Sequence, residues 1–245
     1  MHHFFVPPEQ VRESHIYIEG SDVNHIKNVL RMKLGEELCI SDGTANEYLC
    51  KIESMDAEGI CAAIQSVAEG GNELPSKIYL FQGLPKSDKM ELIIQKAVEL
   101  GVYEIVPVAT KRAVVKLDDK KASKKVERWN SIAESGAKQS GRNVIPKVTD
   151  VMTWKQAMEY AKALDIVLIP YELAEGMEKT KEIISGLKPG QDIAIFIGPE
   201  GGFEETEINA AMEAQITPVT LGKRILRTET AGFTILSWIM YQLEN

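Results

Sequence analysis

Two glycine-containing turns in the second half of this chain hold the residues best suited to chemistry. They are Gly198-Pro199-Glu200-Gly201-Gly202 and Gly222-Lys223-Arg224-Ile225-Leu226-Arg227. Each follows a short apolar run, residues 193–197 and 218–221, so each sits where a β-strand should end. Open α/β sheets bind ligands at the carboxyl ends of their strands. Glycines there let the backbone approach a ligand closely and offer unpaired N–H and C=O groups. Ile225 and Leu226, apolar between charges, suit the face of an adenine-like ring. The same residues also fit two ordinary tight turns with Ile225 and Leu226 tucked into the core, and residue types alone leave both readings open.

Other signatures fail. Residues 83–90 have the outline of a phosphate-binding loop, but Asp88 replaces its second Gly and Met90 its Ser/Thr. The 198–202 turn is not G-x-G-x-x-G, and no G-x-S-x-G elbow occurs. All four histidines, His2, His3, His15 and His25, fall in the first 25 residues, which argues against a Ser-His-Asp hydrolase. Cys39, Cys50 and Cys61 form no CxxC pair and have no His at ligand spacing, so no metal is expected; they read as small buried hydrophobes in a reducing cytosol. Residues 1–8 lack the basic and apolar regions of a signal peptide. The longest apolar runs fall far short of the ~18 residues of a membrane span. A cytoplasmic protein with no membrane partner is expected.

The elements that must hold those turns show two textures. From about residue 15 to 67, short period-two runs (Leu38-Cys39-Ile40, Tyr48/Cys50/Ile52, Ile60/Ala62/Ile64) alternate with turn signals. They predict a small β-barrel with one helical stretch, 22–30, capped by Ser21 or Asp22. Residues 68–75 read as a linker. Beyond it strands are predicted at 78–81, 104–108, 165–169, 193–197 and 218–221, with helical segments between them. Met90, Ile93, Ile94, Ala97 and Leu100 mark the first helix, with Ser87 or Asp88 as its cap and Gly101 at its end. This alternation predicts an α/β domain with a mostly parallel sheet covered on both faces. The expected division is residues 1–70 and 71–245.

The 245 residues carry a net charge of −8, which as a total argues against a nucleic-acid partner. Binding depends on where charges lie. Residues 111–142 hold ten basic and four acidic side chains, so this segment is +6 on a background of −14. Lys120, Lys121, Lys124, Lys125 and Arg128 share one helical face; Val126, Trp129, Ala133 and Ala137 share another. The basic face is either a solvated surface or a track for phosphates.

Several motifs in order resemble a known family. They are Leu84-Pro85-Lys86-Ser87-Asp88-Lys89-Met90, residues 94–101, Arg112-Ala113-Val114-Val115-Lys116, Arg128-Trp129, Gln139-Ser140-Gly141-Arg142, and the two glycine turns, the second running on through Thr228-Glu229-Thr230-Ala231. With residues 24–26 and 42–43 they resemble, nearly end to end, the 16S ribosomal RNA uracil-N3 methyltransferases (RsmE type) of the SPOUT superfamily. The resemblance implies an N-terminal PUA-like β-barrel and an α/β domain with a C-terminal trefoil knot. It also implies a homodimer using S-adenosylmethionine, with 16S ribosomal RNA of the small-subunit particle as substrate. Carried over by position, Gly198, Glu200, Gly201, Leu221, Gly222, Ile225, Leu226 and Arg227 would form the methyl-donor pocket. The chain departs from the family pattern at Lys223, Ser87, Asn24 and His3. In this reading Arg227 stabilises developing charge, Glu200 or Glu229 acts as the base with Glu229 preferred, and Glu229 fits equally as a first-turn acid favoured by the helix dipole. RNA contacts are expected from Arg31, Lys86, Lys111, Arg112, Lys116, Lys124, Arg128 and Arg142. A non-catalytic RNA-binding module, and a SPOUT enzyme acting on another RNA or acceptor atom, are the alternatives.

Overall fold

The computed structural model describes residues 1–44, 46–56, 58–69, 71–115, 117–171 and 176–244. Two compact units emerge: residues 1–73 with 137–145, and residues 74–136 with 146–245.

In the first unit, β1 (His3–Phe5), β2 (His15–Glu19), β3 (Glu37–Ser41), β4 (Asn46–Met55) and β5 (Gly59–Glu69) form one sheet in the order β1-β3-β4-β5-β2. Only the β1–β3 pair is parallel. The period-two pattern works as expected: Ile16 and Ile18, Leu38 and Ile40, Cys50 and Ile52, Ile60 and Ala62 all point into one core. Two irregularities in the β4–β5 pairing, an extra Gln65 on β5 and an extra Glu53 on β4, bend the pair, so the sheet curls around that core. Among the described residues β1 and β2 remain its edges, so it is a curled half-barrel rather than a closed one.

Three local expectations change here. Ser21 and Asp22 lie inside the helix α1 (Ser21–Asn24), not at its cap. Gly20 takes the cap with φ 75°, and the chain continues as a wider turn, His25–Val29. The supposed linker begins with the last residues of β5. Finally, β2, β4 and β5 bring His15, Glu53 and Cys61 within 4.8 Å of one another, a grouping invisible in their spacing; His15 Nε2 bonds Glu53 at 2.9 Å.

Arg142 is 4% exposed, and this removes it from the expected RNA contacts. Its guanidinium grips the Glu73 carboxylate, which also accepts the N–H groups of Asn143 (2.9 Å) and Val144 (3.2 Å). Asn143 in turn bonds the Asn72 N–H and Ser41 Oγ. The segment 137–145 is thereby fastened into the first unit.

The second unit is built on parallel strands: β6 (Lys77–Gly83), β7 (Glu104–Ala109), β8 (Lys147–Val148), β9 (Met152–Thr153), β10 (Ile166–Pro170), β11 (Asp192–Ile197) and β12 (Thr217–Val219). Their order is β12-β10-β11-β6-β7, with β8 and β9 both paired to β7, and every pair is parallel. The central strands β6 and β11 are buried almost throughout because helices cover both faces. On one face Phe81 and Phe196 stack at 4.4 Å under α4 (Trp154–Ala161) and α6 (Glu205–Glu213). Across the sheet α2 (Lys89–Glu99) and α5 (Met177–Ser185) both pack on α7 (Thr228–Leu243), which also packs on β11. The basic segment is helix α3 (Asp119–Ser140), anchored by the expected Trp129, Ala133 and Ala137. The strand expected at 218–221 ends at Val219, and Asp88 precedes α2 without a side-chain cap bond. Among the described residues no helix is long and apolar enough to cross a membrane.

Because breaking a buried ion pair strands its partner, Arg142→Ala should cost the protein about 3–5 kcal/mol. Chemical denaturation measures it against Lys124→Ala, an exposed change expected to stay within about 0.5 kcal/mol.

Candidate functional site

The strand order places β11 between β10 and β6, so chain segments distant in sequence end side by side. The loops that leave the carboxyl ends of β11 and β12, with Pro170 and Tyr171 at the end of β10, line a cavity of about 620 Å³. Gly198, Glu200, Gly201, Leu221, Gly222, Ile225, Leu226 and Arg227 all line it, joined by Tyr171, Phe203, Lys89 and Arg112. The eight pocket residues chosen from sequence therefore share one site. Ile225 differs in detail: it is 87% exposed at the lip, which leaves Leu221 and Leu226 as the half-buried apolar walls.

Backbone forms much of the lining because there is no room for more. A Cβ on Gly198 would lie 3.1 Å from the Gly202 backbone, and one on Gly83 would lie 2.7–2.8 Å from the Pro199 ring and nitrogen. Beneath the loops runs a buried hydrogen-bond chain that sequence reasoning missed. Gln82 Nε2 donates to Thr228 Oγ1 (2.9 Å), and Thr228 Oγ1 donates to the Gly198 carbonyl (2.6 Å). Its residue types are ordinary, and only the fold shows that β6, the 198–202 loop and the start of α7 meet there.

Charge is arranged around Glu200. Its carboxylate accepts the Lys86 N–H (3.1 and 3.2 Å) and pairs with Lys89 Nζ at 3.0 Å. Burial pushes the Glu200 carboxyl upward, but backbone hydrogen bonds and the Lys89 ammonium outweigh it and hold it below the usual carboxylate range. Lys89, its own pKa raised first by the bond to Glu200, also lies 3.5 Å from Glu229 Oε2. Glu229 is 15% exposed in the first turn of α7, stands behind Lys89 rather than in the cavity wall, and its Oε2 receives no hydrogen bond. Arg227 precedes that turn and is exposed at the cavity. Arg112 Nη1 donates to the Gly201 carbonyl at 3.0 Å. Ser87, at the entry to α2, takes φ 55°, a conformation that favours glycine.

The expected RNA contacts disperse. Lys86 and Lys124 are exposed, as is Arg31 in the first unit. Lys111 binds Glu204 (3.0 Å) and Thr206, and Arg128 makes a two-pronged pair with Glu91 (2.9 and 3.0 Å). Lys116 lies outside the described residues.

A parallel α/β sheet with a glycine-walled cavity at its strand ends, accompanied by a curled sheet unit, has the form of an RNA methyltransferase with a PUA domain. Residues 72–240 match the family model of the RNA methyltransferase domain, and residues 18–65 that of the RNA methyltransferase PUA domain. Over 242 residues the chain is 40% identical to ribosomal RNA small subunit methyltransferase E of Bacillus subtilis, covering 96% of this chain and 94% of that one. It is 37% identical to its namesake in Mesomycoplasma hyopneumoniae (97% and 98% covered). The crystal structure of ribosomal RNA small subunit methyltransferase E from Neisseria gonorrhoeae, bound to S-adenosyl methionine, is 32% identical. It superposes with a TM-score of 0.86 over 98% of this chain and 97% of that one. The chain belongs to the ribosomal RNA small subunit methyltransferase E family.

The tight wall makes a contrast between two glycines. Gly83→Ala should destabilise by about 1–3 kcal/mol because the Pro199 backbone must move. Gly232→Ala, inside α7 with its nearest neighbour 3.9 Å from the new Cβ, should be neutral or stabilise by up to about 1 kcal/mol. Thermal or urea unfolding of both variants checks the sign.

Proposed function

We propose that this protein transfers a methyl group from S-adenosylmethionine to N3 of one uridine in 16S ribosomal RNA, acting in the cytoplasm as a homodimer on a small-subunit particle. The observation that carries the reading is the single cavity in which all eight pocket residues meet. Its volume falls in the ~300–1,000 Å³ range of small-molecule sites. The crowding at Gly198 supports a wall of backbone, Leu221 and Leu226 offer apolar faces to a purine, and the 220–227 segment is in this reading the threaded part of a trefoil knot.

When bound, the donor supplies a methyl already activated on a sulfonium. What remains for the protein is alignment and the handling of one proton. N3 of uracil is an imide nitrogen and must lose its proton to attack. Arg227 stays charged and cannot accept it; at the cavity edge it stabilises the negative charge that develops on the neighbouring carbonyl oxygens. Glu200 is a poor base because its donors favour the anion. Glu229, whose Oε2 receives no hydrogen bond, is the proton acceptor in this reading, with Lys89 holding it next to the cavity. Lys86, Arg112, Lys124 and Arg31 remain the RNA-facing cations from the original set, with Lys116 carried by sequence alone.

Nucleoside mass spectrometry of 16S ribosomal RNA from a gene-deletion strain should show 3-methyluridine missing at one site and restored by the wild-type gene. Loss of a different modified nucleoside would move the acceptor atom. Glu229→Gln should lower kcat by about 10²–10⁴-fold. Turnover unchanged at every pH leaves Glu229 only its dipole and Lys89 roles.

A further inference from the structure

Most cations of the basic segment are committed within the protein. Arg128 holds Glu91, Lys121 lies 3.1 Å from Asp118, Lys111 holds Glu204, and Arg142 is buried on Glu73. The cavity's lip differs. Lys223, Arg224 and Arg227 lie exposed on one loop of the cavity wall, and among the described residues none has a side-chain hydrogen bond or ion pair. Consecutive like charges repel, and among the described residues of the lining no carboxylate offsets them: Glu200, the one acidic side chain there, is paired with Lys89. Ile225, 87% exposed, stands between these cations. An aliphatic side chain presented that openly gains free energy by covering a flat apolar partner. The ligand chemistry that offers closely repeated anions together with flat apolar faces is a single-stranded nucleic acid.

We propose that Lys223, Arg224 and Ile225 form an RNA-reading lip, with the two cations on phosphates flanking the target nucleotide and Ile225 packed against an adjacent base. The proposal rests on the functional reading above and deepens it. Affinity for RNA at the cavity is then governed by this loop more than by the α3 face, because Lys223 and Arg224 stand at the cavity itself whereas the uncommitted α3 cations Lys120 and Lys124 are not part of its lining. Releasing counterions from two phosphates contributes about 0.7 each to the salt slope for single strands.

The test uses full-length protein and small ribosomal subunits from the gene-deletion strain, with KM for the particle measured across a salt series. Lys223→Gln/Arg224→Gln should raise KM at least about tenfold and reduce the slope of log KM against log salt by about 1.4. Ile225→Ala should raise KM severalfold with no change in slope. Lys120→Gln/Lys121→Gln/Lys124→Gln should change the slope less than the lip variant does. Calorimetric affinity for S-adenosylmethionine should stay within about twofold in the lip variant. An unchanged KM and slope overturns the proposal. So does a loss of S-adenosylmethionine affinity matching the loss for RNA, which would give the cations to the donor's carboxylate. A changed sedimentation state overturns it as well, since the lip would then be a contact with a second copy of the chain. A wild-type protein that transfers no methyl group overturns the functional reading, whereas an active wild type with an unaffected lip variant overturns this inference alone.

Discussion

The site depends on one buried hydrogen-bond chain, Gln82 to Thr228 to Gly198. It ties the end of a central strand, the start of the last helix and the first glycine turn at a point where Gln82 and Thr228 are buried. In such surroundings each bond is stronger than in water, and each missing partner is costlier. With Gly198 held by its carbonyl and Gly83 pressed against Pro199, the 198–202 loop has little freedom left. The start of α7, fixed by the same contact, carries Arg227 to the cavity and Glu229 to the side of Lys89. A strand end more than a hundred residues from the other two segments joins them in one frame.

Around this frame charge falls into two groups. Lys89 pairs with Glu200 and lies beside Glu229, and one Arg112 nitrogen holds a loop carbonyl, so these contacts help hold shape. Lys223, Arg224 and Arg227 project without partners among the described residues, so they face outward chemistry. A net charge of −8 is compatible with RNA binding on these terms. Acidic groups elsewhere limit indiscriminate attraction, while a few uncommitted cations sit where a phosphate chain would pass.

Elements governed by local pattern could be read directly from the residues. The period-two strands of the first unit, the apolar faces of α2 and α3, and the left-handed Gly101 all follow from short-range chemistry. The glycine turns after apolar strands mark a place for a ligand or for two ordinary turns, and the choice of Gly198, Glu200, Gly201, Leu221, Gly222, Ile225, Leu226 and Arg227 comes from the family resemblance. What escaped was set by tertiary contact. Arg142 stands in a basic segment, and only the fold brings Glu73 to it; Arg128 reads as a free cation until α2 presents Glu91. Gln82 and Thr228 have no signature of their own, and Ser21 looked like a cap until Gly20 took that place. The association of residues 137–145 with the first unit likewise has no mark in composition.

The central claim is that the frame exists to hold S-adenosylmethionine at the strand ends. Titration calorimetry of the wild-type chain and of Thr228→Val tests it most directly, since valine keeps the shape and removes the hydroxyl that joins Gln82 to Gly198. The account predicts one donor molecule bound per wild-type chain and an affinity at least about tenfold weaker in the variant, a change of about 1.4 kcal/mol, with the variant still folded by circular dichroism. A wild type that binds no donor, or a folded variant that binds it equally well, would contradict the account.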